Sequence, residues 1–127
     1  MNFGAIIIGD EILSGRTKDR NGGAIAEHLT TIGIRLKEVR VVPDDEAEIC
    51  AAVNALRSRY DYLFTTGGIG PTHDDITADS IAKACGVTID VDPRAEKLLA
   101  ENYARRGLAL TPARLRMARI PAGASLI

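Results

Sequence analysis

The sequence predicts an α/β domain with a mainly parallel sheet. Short apolar runs typical of strands alternate along the chain with stretches of helical periodicity, and that order is typical of parallel sheets. Hydrophobic residues make up 46% and charged residues 26% of the 127 residues, the composition of an ordinary globular domain. We therefore expect a single domain over residues 1–127 that is large enough to bury a core.

The chain begins with a predicted strand and helix. Residues 3–8 form a continuous apolar run, as expected of a central parallel strand covered on both faces. A polar, irregular stretch over residues 9–21 precedes a helix from about Gly22, which Gly33 ends. The apolar stripe predicted for this helix comprises Ile25, Leu29 and Ile32.

The second strand is predicted over residues 34–42. Ile34 and Leu36 alternate as expected, but Val39 and Val41 are out of phase with them. Side chains alternate between the two faces of a strand, so this slip predicts a bulge or an edge position.

A second helix and a third strand form the centre of the chain. The helix is predicted over residues 46–59, with Ile49, Val53 and Leu56 as its stripe. Aromatic and β-branched residues over 62–66 predict a buried strand, which breaks at Gly67. A third helix follows, with Thr77 as its predicted N-cap and Gly86 at its end.

The last third of the chain predicts shorter elements. A short strand over residues 87–91 precedes a helix over residues 93–106, with Pro93 at its first position and Gly107 as terminator. Pro112 starts a further short helix. A parallel sheet normally has more strands than these, so we expect the fold to be truncated at its C-terminal end.

Charge and composition argue against several classes of partner. A net charge of −1, no Trp and only two Phe and three Tyr predict no binding to nucleic acid or to a membrane surface. Cys50 and Cys85 fall on apolar helix faces outside any C-x-x-C motif. We therefore expect both to be small, buried hydrophobic side chains of a protein in a reducing cytosol. The N-terminus lacks the basic region of a signal peptide, and its short apolar run predicts a strand. We therefore expect a cytoplasmic protein.

The glycine-rich loop after the third strand is the strongest candidate for a binding site. Gly67, Gly68 and Gly70 lie between a strand and a helix N-terminus, where unpaired N–H groups and the helix dipole favour an anion. The spacing lacks the third glycine of the dinucleotide motif G-x-G-x-x-G. Residues 9–17 fail as a Walker A loop because they have one residue too many and Arg16 in place of Lys.

Acidic residues surround this loop. Asp74 and Asp75 would repel a phosphate, so the loop is either a well-capped turn or a site where a divalent cation bridges acid and phosphate. Right-handed crossovers bring the ends of the first three strands to one edge of the sheet. We therefore expect five or six carboxylates, including Glu11, Asp44 and Asp75, around one phosphate cradle.

Residues 65–77 resemble the signature of the molybdopterin-binding domain shared by MoaB, Mog and MoeA proteins. Gly-Pro-Thr followed by a double Asp is most similar to the N-terminal domain of CinA (competence/damage-inducible) proteins. The match extends to residues 9–15 and 43–45, Asn21 and Gly33. The resemblance implies a three-layer α/β/α fold and a homo-oligomer, either a dimer or a trimer. It also implies a phosphorylated pterin, molybdopterin among them, or a nucleotide as ligand.

The resemblance also implies roles for individual residues. Asp44 and Asp75 match acids that Mog-type enzymes use, with magnesium, to transfer AMP to molybdopterin. Magnesium or cobalt is the implied metal, with Asp75, Asp74 and Glu11 as its ligands. The implied phosphate-binding residues are Gly67, Gly68, Gly70, Pro71, Thr72 and Ser14.

Two departures from the Mog pattern favour a different reaction. Ile69 stands where Mog proteins have Thr, and Asp74 replaces their Arg. Losing a cation weakens direct phosphate binding and raises metal dependence. This favours the metal-dependent hydrolysis of ADP-ribose-like pyrophosphates associated with CinA-type domains over adenylyl transfer. A non-catalytic binding module is the further alternative.

Three other polar residues near the predicted site have open interpretations. His73 suits a metal ligand or a general base, or only a contact with the ligand. Arg16 and Lys18 either cover a substrate phosphate or belong to a solvated loop. His28, on the first helix, has no assigned role.

Overall fold

A three-stranded parallel sheet forms the centre of the computed structural model, which describes residues 1–127. Its strands are β1 (Phe3–Ile8), β2 (Leu36–Val42) and β3 (Tyr62–Thr66), in the order β2-β1-β3. Every residue of β1 is buried, which confirms the central strand predicted from its apolar run. The carboxyl ends of all three strands therefore lie at one edge, as predicted.

Helices cover both faces of the sheet. The helices up to the glycine loop and just after it are α1 (Asp10–Leu13), α2 (Asn21–Thr31), α3 (Glu46–Arg57) and α4 (Thr77–Cys85). The main core lies between the sheet and α3, with α4 residues packed against it. Its buried members are Ile6, Ile8, Val42, Ile49, Ala52, Val53 and Leu56. On the opposite face, Gly22 of α2 lies over Ile7, which gives the predicted three-layer arrangement.

The irregularity predicted in the second strand is present. Phe3 pairs with Leu36 and Gly4 with Glu38, so Lys37 is an extra residue in β2. The strand is also at an edge of the sheet and begins two residues later than predicted. Both physical explanations of the phase slip are therefore correct.

Strand β3 differs from the prediction because it is not buried. It is the other edge strand, and Tyr62 and Phe64 remain 53% and 38% exposed. Their rings stack on Phe3, with centroids 4.8 Å and 5.8 Å from its ring. Aromatic composition correctly indicated a strand, but it does not show whether neighbouring elements cover both faces.

A smaller lobe follows α4. It contains β4 (Ile89–Val91), α5 (Pro93–Arg105), α6 (Pro112–Leu115), the 3-10 turn Arg116–Ala118, and β5 (Arg119–Pro121). Strands β4 and β5 pair antiparallel in a separate two-stranded sheet. Neither β5 nor the one-turn α1 was predicted, because three or four residues carry too little periodicity to be recognised.

Several predicted side-chain positions are wrong. Ile76, not Thr77, occupies the N-cap of α4. Cys85, at the end of α4, is exposed and Cys50 is half-buried, so neither is the buried hydrophobic residue predicted. Ile32 is 58% exposed because α2 ends at Thr31 and the chain turns away there. No helix is both long and apolar enough to cross a bilayer.

Candidate functional site

The loop between β3 and α4 begins with two positions that accept only glycine. Gly67 has φ 91°, and a Cβ atom there would lie 1.9 Å from the carbonyl oxygen of Ile8 at the end of β1. Gly68 has φ 63°, and its Cβ would lie 2.3 Å from Thr77 Oγ1. The bare backbone of this loop is therefore packed directly against the end of the sheet.

Thr77 holds the loop in this position. Its hydroxyl donates to Gly67 O at 2.8 Å, and its backbone N–H donates to Gly68 O at 3.1 Å. The residue is 1% exposed, so these bonds are shielded from water. Thr77 is thus a clamp on the glycine loop rather than the helix cap predicted from sequence.

Asp75 shapes the next turn of the loop. Its Oδ2 accepts hydrogen bonds from Thr72 N at 2.9 Å and from Thr72 Oγ1 at 2.8 Å. Burial raises the pKa of Asp75, but these bonds, the Gly70 N–H and the positive charge of Arg116 outweigh it, so the net pKa is lowered. The carboxylate is therefore ionised at neutral pH.

A cavity of about 260 Å³, the arginine cavity, lies between this loop and the smaller lobe. The loop contributes Gly68, Ile69, Gly70 and Asp75. The other lining residues are Ala78, Asp79, Arg116, Met117, Arg119, Ile120 and Pro121. Sequence reasoning missed both arginines, which lie about forty residues downstream of the loop. Arg116 falls in the segment predicted as a short helix from Pro112, and Arg119 falls in a strand that was not predicted.

The two arginines differ in their partners. Arg119 forms a two-point ion pair with Asp79, with distances of 2.8 Å and 3.1 Å, which joins β5 to α4. Arg116 forms none of the salt bridges, and its Nε is buried without a hydrogen-bond partner. Arg116 is therefore the lining cation whose charge is not matched by a contacting carboxylate.

A second cavity of about 440 Å³, the acidic cavity, lies on the other side of the loop. It brings together residues from the three strand ends: Asp10, Glu11, Arg16, Asp44, His73, Asp74 and Ile76. His73 Nε2 lies 3.3 Å from Asp74 Oδ1, and both side chains are largely exposed. A Cβ on Gly68 would lie 3.4 Å from Asp44 Oδ1, so Gly68 of the arginine cavity is a neighbour of Asp44 of the acidic cavity.

The predicted single cradle of carboxylates is wrong. Glu11, Asp44 and Asp74 share the acidic cavity, whereas Asp75 lines the arginine cavity. Asp45 caps α3 by accepting from Glu48 N at 3.0 Å. The tight turn from Gly70 to Asp75 directs neighbouring carboxylates to opposite sides of the loop.

The remaining predicted ligand residues lie outside both cavities. Ser14 bonds only within its own turn, where its hydroxyl donates to Glu11 O at 3.3 Å. Pro71 and Thr72 form the exposed part of the glycine loop, and Lys18 lies outside as well. Gly67 packs against the Ile8 carbonyl at the end of β1 and lines neither cavity.

The carboxylates do not form a metal site by themselves. No group of three or more His, Cys, Asp or Glu side chains is arranged to hold a metal ion, so Glu11, Asp74 and Asp75 do not assemble as predicted. Magnesium commonly binds through one or two carboxylates and completes its coordination with water and substrate phosphates. Glu11, Asp74 and Asp75 would therefore need water and ligand oxygens to complete such a coordination shell.

Comparison with known families identifies the domain. A family model described as "Probable molybdopterin binding domain" matches residues 4–123. The chain belongs to this molybdopterin-binding domain family. Within the family it resembles CinA from Thermoplasma acidophilum, a protein described as having unknown function. The two are 38% identical with a TM-score of 0.86, over 95% of this chain and 70% of that one.

Other members of the molybdopterin-binding domain family share the fold. The tungsten cofactor synthesizing protein MoaB from Pyrococcus furiosus is 29% identical, with a TM-score of 0.60 over 83% of this chain and 63% of that one. A curated protein from Pyrobaculum arsenaticum is 41% identical over 119 residues, which are 94% of this chain and 45% of the relative. The chain therefore spans less than half the length of that relative. The predicted family and the predicted MoaB/Mog-like fold are confirmed.

Proposed function

We propose that this molybdopterin-binding domain binds the phosphate of a phosphorylated pterin or nucleotide at the glycine loop. The observation that carries the proposal is that Gly68 and Gly70 line one cavity together with Asp75. The backbone of Gly68 can approach phosphate oxygens closely there because it carries no side chain, whereas the Gly70 N–H is already engaged by Asp75.

We further propose that the bound molecule is an ADP-ribose-like pyrophosphate and that the domain hydrolyses it with a divalent cation. The resemblance to CinA-type domains and the replacement of the Mog arginine by Asp74 support this reaction. Asp75 is ionised and lines the arginine cavity, and Asp44 lies next to Gly68. A metal bound to the pyrophosphate would polarise it and take one or two of these carboxylates as ligands.

Purified protein incubated with ADP-ribose and either magnesium or cobalt tests this reaction. The expected result is AMP and ribose phosphate, separated by ion-exchange chromatography, with no product when a chelator is present. Asp75→Asn serves as the matched variant, because an amide oxygen can still accept the Thr72 hydrogen bonds. AMP release that continues undiminished in chelator would contradict the role given to the metal.

A non-catalytic binding module is the second candidate, and one observation favours it. The backbone N–H and the hydroxyl of Thr72 both donate to Asp75 Oδ2, so this carboxylate already stabilises the loop. Binding of ADP-ribose or molybdopterin by calorimetry without turnover would support the module. Adenylated molybdopterin formed from ATP would instead identify a Mog-type transferase.

We also propose that the protein forms a homo-oligomer, a dimer or a trimer. Support comes from exposed apolar side chains on both edge strands, on the α2 side of the sheet. Val39 and Val41 of β2 are 43% and 40% exposed, and Tyr62 and Phe64 of β3 are 53% and 38% exposed. Light scattering coupled to size-exclusion chromatography tests this directly. A monomer at micromolar concentration would overturn it.

A further inference from the structure

We infer that Arg116 is the side chain that binds the phosphate or pyrophosphate oxyanion in the arginine cavity. The inference rests on the proposed function, since it concerns the same glycine loop. It adds a cation from a distant part of the chain to a loop whose neighbouring residues in sequence are acids. The anion would lie between the Arg116 guanidinium and the backbone of Gly68–Gly70.

Arg116 has no partner in the folded chain. Its Nε is buried and makes no hydrogen bond, and the residue forms none of the salt bridges. Buried donors without a partner are rare in proteins, because each loses its hydration without compensation. The guanidinium as a whole has no hydrogen-bonded or ion-paired partner, and it lines the arginine cavity, where its planar fork suits the geometry of a phosphate.

The neighbouring arginines already have partners. Arg119 is paired at two points with Asp79. Arg114 donates to Ala109 O at 2.7 Å and lies over the Tyr103 ring, 4.9 Å from its centroid. Among the arginines of this segment, Arg116 alone combines a lining position in the cavity with an unpaired buried donor.

Hydrogen bonds on both sides of Arg116 hold its backbone in place. It starts the 3-10 turn, whose last residue, Ala118, is 1% exposed and accepts a hydrogen bond from Asp92 N at 2.9 Å. On its N-terminal side, Thr111 caps α6 by accepting from Arg114 N at 3.2 Å. These contacts fix the backbone from which the Arg116 side chain extends, so its Cα position need not change when a ligand binds.

The charge distribution of the chain agrees with this assignment. Residues 93–127 contain seven Arg or Lys and two Asp or Glu, a net charge of +5. Residues 1–92 contain nine Arg or Lys and fifteen Asp or Glu, a net charge of −6. The two segments together give the net charge of −1 of the whole chain. The arginine cavity lies where the basic segment meets the acidic one, so an anion is attracted to its Arg116 side.

Isothermal titration of the protein with inorganic pyrophosphate, in the presence of a chelator, tests the inference. Wild-type protein is expected to bind without a divalent metal, and Arg116→Met to bind about 10- to 100-fold more weakly. Arg116→Lys should recover part of the affinity, because it keeps the charge but loses the planar fork. Asp75→Asn should bind more tightly, since it removes the like charge from the same cavity.

Arg105→Met is the control for net charge. Arg105 is exposed on α5 and lines neither cavity, so its loss should leave pyrophosphate affinity unchanged. Equal affinity in wild type and Arg116→Met would overturn the inference, as would an equal loss in Arg105→Met. If Arg116→Met does not fold by circular dichroism, Arg116→Lys carries the test, and wild-type affinity in it would overturn the inference.

The same measurements separate this inference from the proposed function. Pyrophosphate binding that depends on Arg116, without binding or hydrolysis of ADP-ribose, would support the anion site and contradict the nucleotide ligand. No binding of pyrophosphate by the wild type would overturn the role of Arg116. ADP-ribose hydrolysis unaffected by Arg116→Met would leave the function standing without it.

Discussion

Asp10 and Asp44 exchange hydrogen bonds across the ends of two neighbouring strands. Asp10 N donates to Asp44 Oδ2 at 3.0 Å, and Asp44 N donates to Asp10 Oδ1 at 3.0 Å. Each carboxylate therefore satisfies the backbone of the other residue and fixes the loop that carries it. The acidic cavity is held together by its own acids, although like charges repel.

Asp44→Ala is expected to lower the free energy of unfolding by about 1–2 kcal/mol, because Asp10 N then loses a charged acceptor. Asp74→Ala is the matched control, because its side chain is largely exposed and its salt bridge is to the equally exposed His73. Its loss should change stability by less than about 0.5 kcal/mol. Urea denaturation followed by circular dichroism measures both. Equal stabilities of the two variants would show that the reciprocal bonds are not stabilising.

Gly68→Ala is expected to destabilise the protein by about 2 kcal/mol or more, because a side chain at positive φ is strained and this one meets Thr77 Oγ1. Gly23→Ala in α2 is the opposite case, with open space around the added methyl group and an expected gain of about 0.5–1 kcal/mol. Thermal melting of the two variants should shift in opposite directions. A tolerated alanine at position 68 would mean that the loop relaxes freely.

Asp75→Asn is expected to lower kcat for ADP-ribose by about 100-fold, a typical effect of losing one electrostatic group in an active site. The Kd should not weaken, because the loop keeps its shape and a like charge is removed. Thr72→Val is the comparison, since it removes one hydrogen bond from Asp75 but keeps the carboxylate. If Thr72→Val lost as much kcat as Asp75→Asn, Asp75 would act through loop shape alone.

Asp92 should titrate near pH 2. A side-chain hydrogen bond from Arg94 is the main cause that lowers the pKa of Asp92 to about 2, and the Arg94 backbone N–H adds to it. Because the folded pKa lies below the usual 3.8, Asp92 contributes stability above pH 3.8 that is lost as the pH falls through 2. Carboxyl NMR titration measures this, and Arg94→Ala should raise the midpoint whereas Arg106→Ala should not.

The sequence correctly predicted the central position of the first strand and the position of the glycine loop. Continuous burial of residues 3–8 follows from their uninterrupted apolar character, and the phase slip before Val39 correctly indicated an irregular edge strand. These features are local, because the pattern that reveals them lies within a single element. The family signature over residues 65–77 then led to the correct fold.

The composition of the site could not be predicted in the same way. One tight turn places Asp74 in the acidic cavity and Asp75 in the arginine cavity. The conformation of such a turn cannot be predicted from hydrophobic periodicity. Arg116 reaches the glycine loop only because the smaller lobe folds back and the Arg119–Asp79 pair joins β5 to α4. Contacts between residues so far apart in the chain are set by tertiary packing. The concentration of arginines after residue 93 was the one signal available.

The contact of Gly67 with the Ile8 carbonyl bears on the kinetics of recognition. A turn pressed against the most buried strand moves with that strand, so an incoming ligand meets a preorganised surface. Association should then proceed at the ordinary bimolecular rate, without a slow conformational phase. Differences in affinity among ligands should accordingly arise from their residence times.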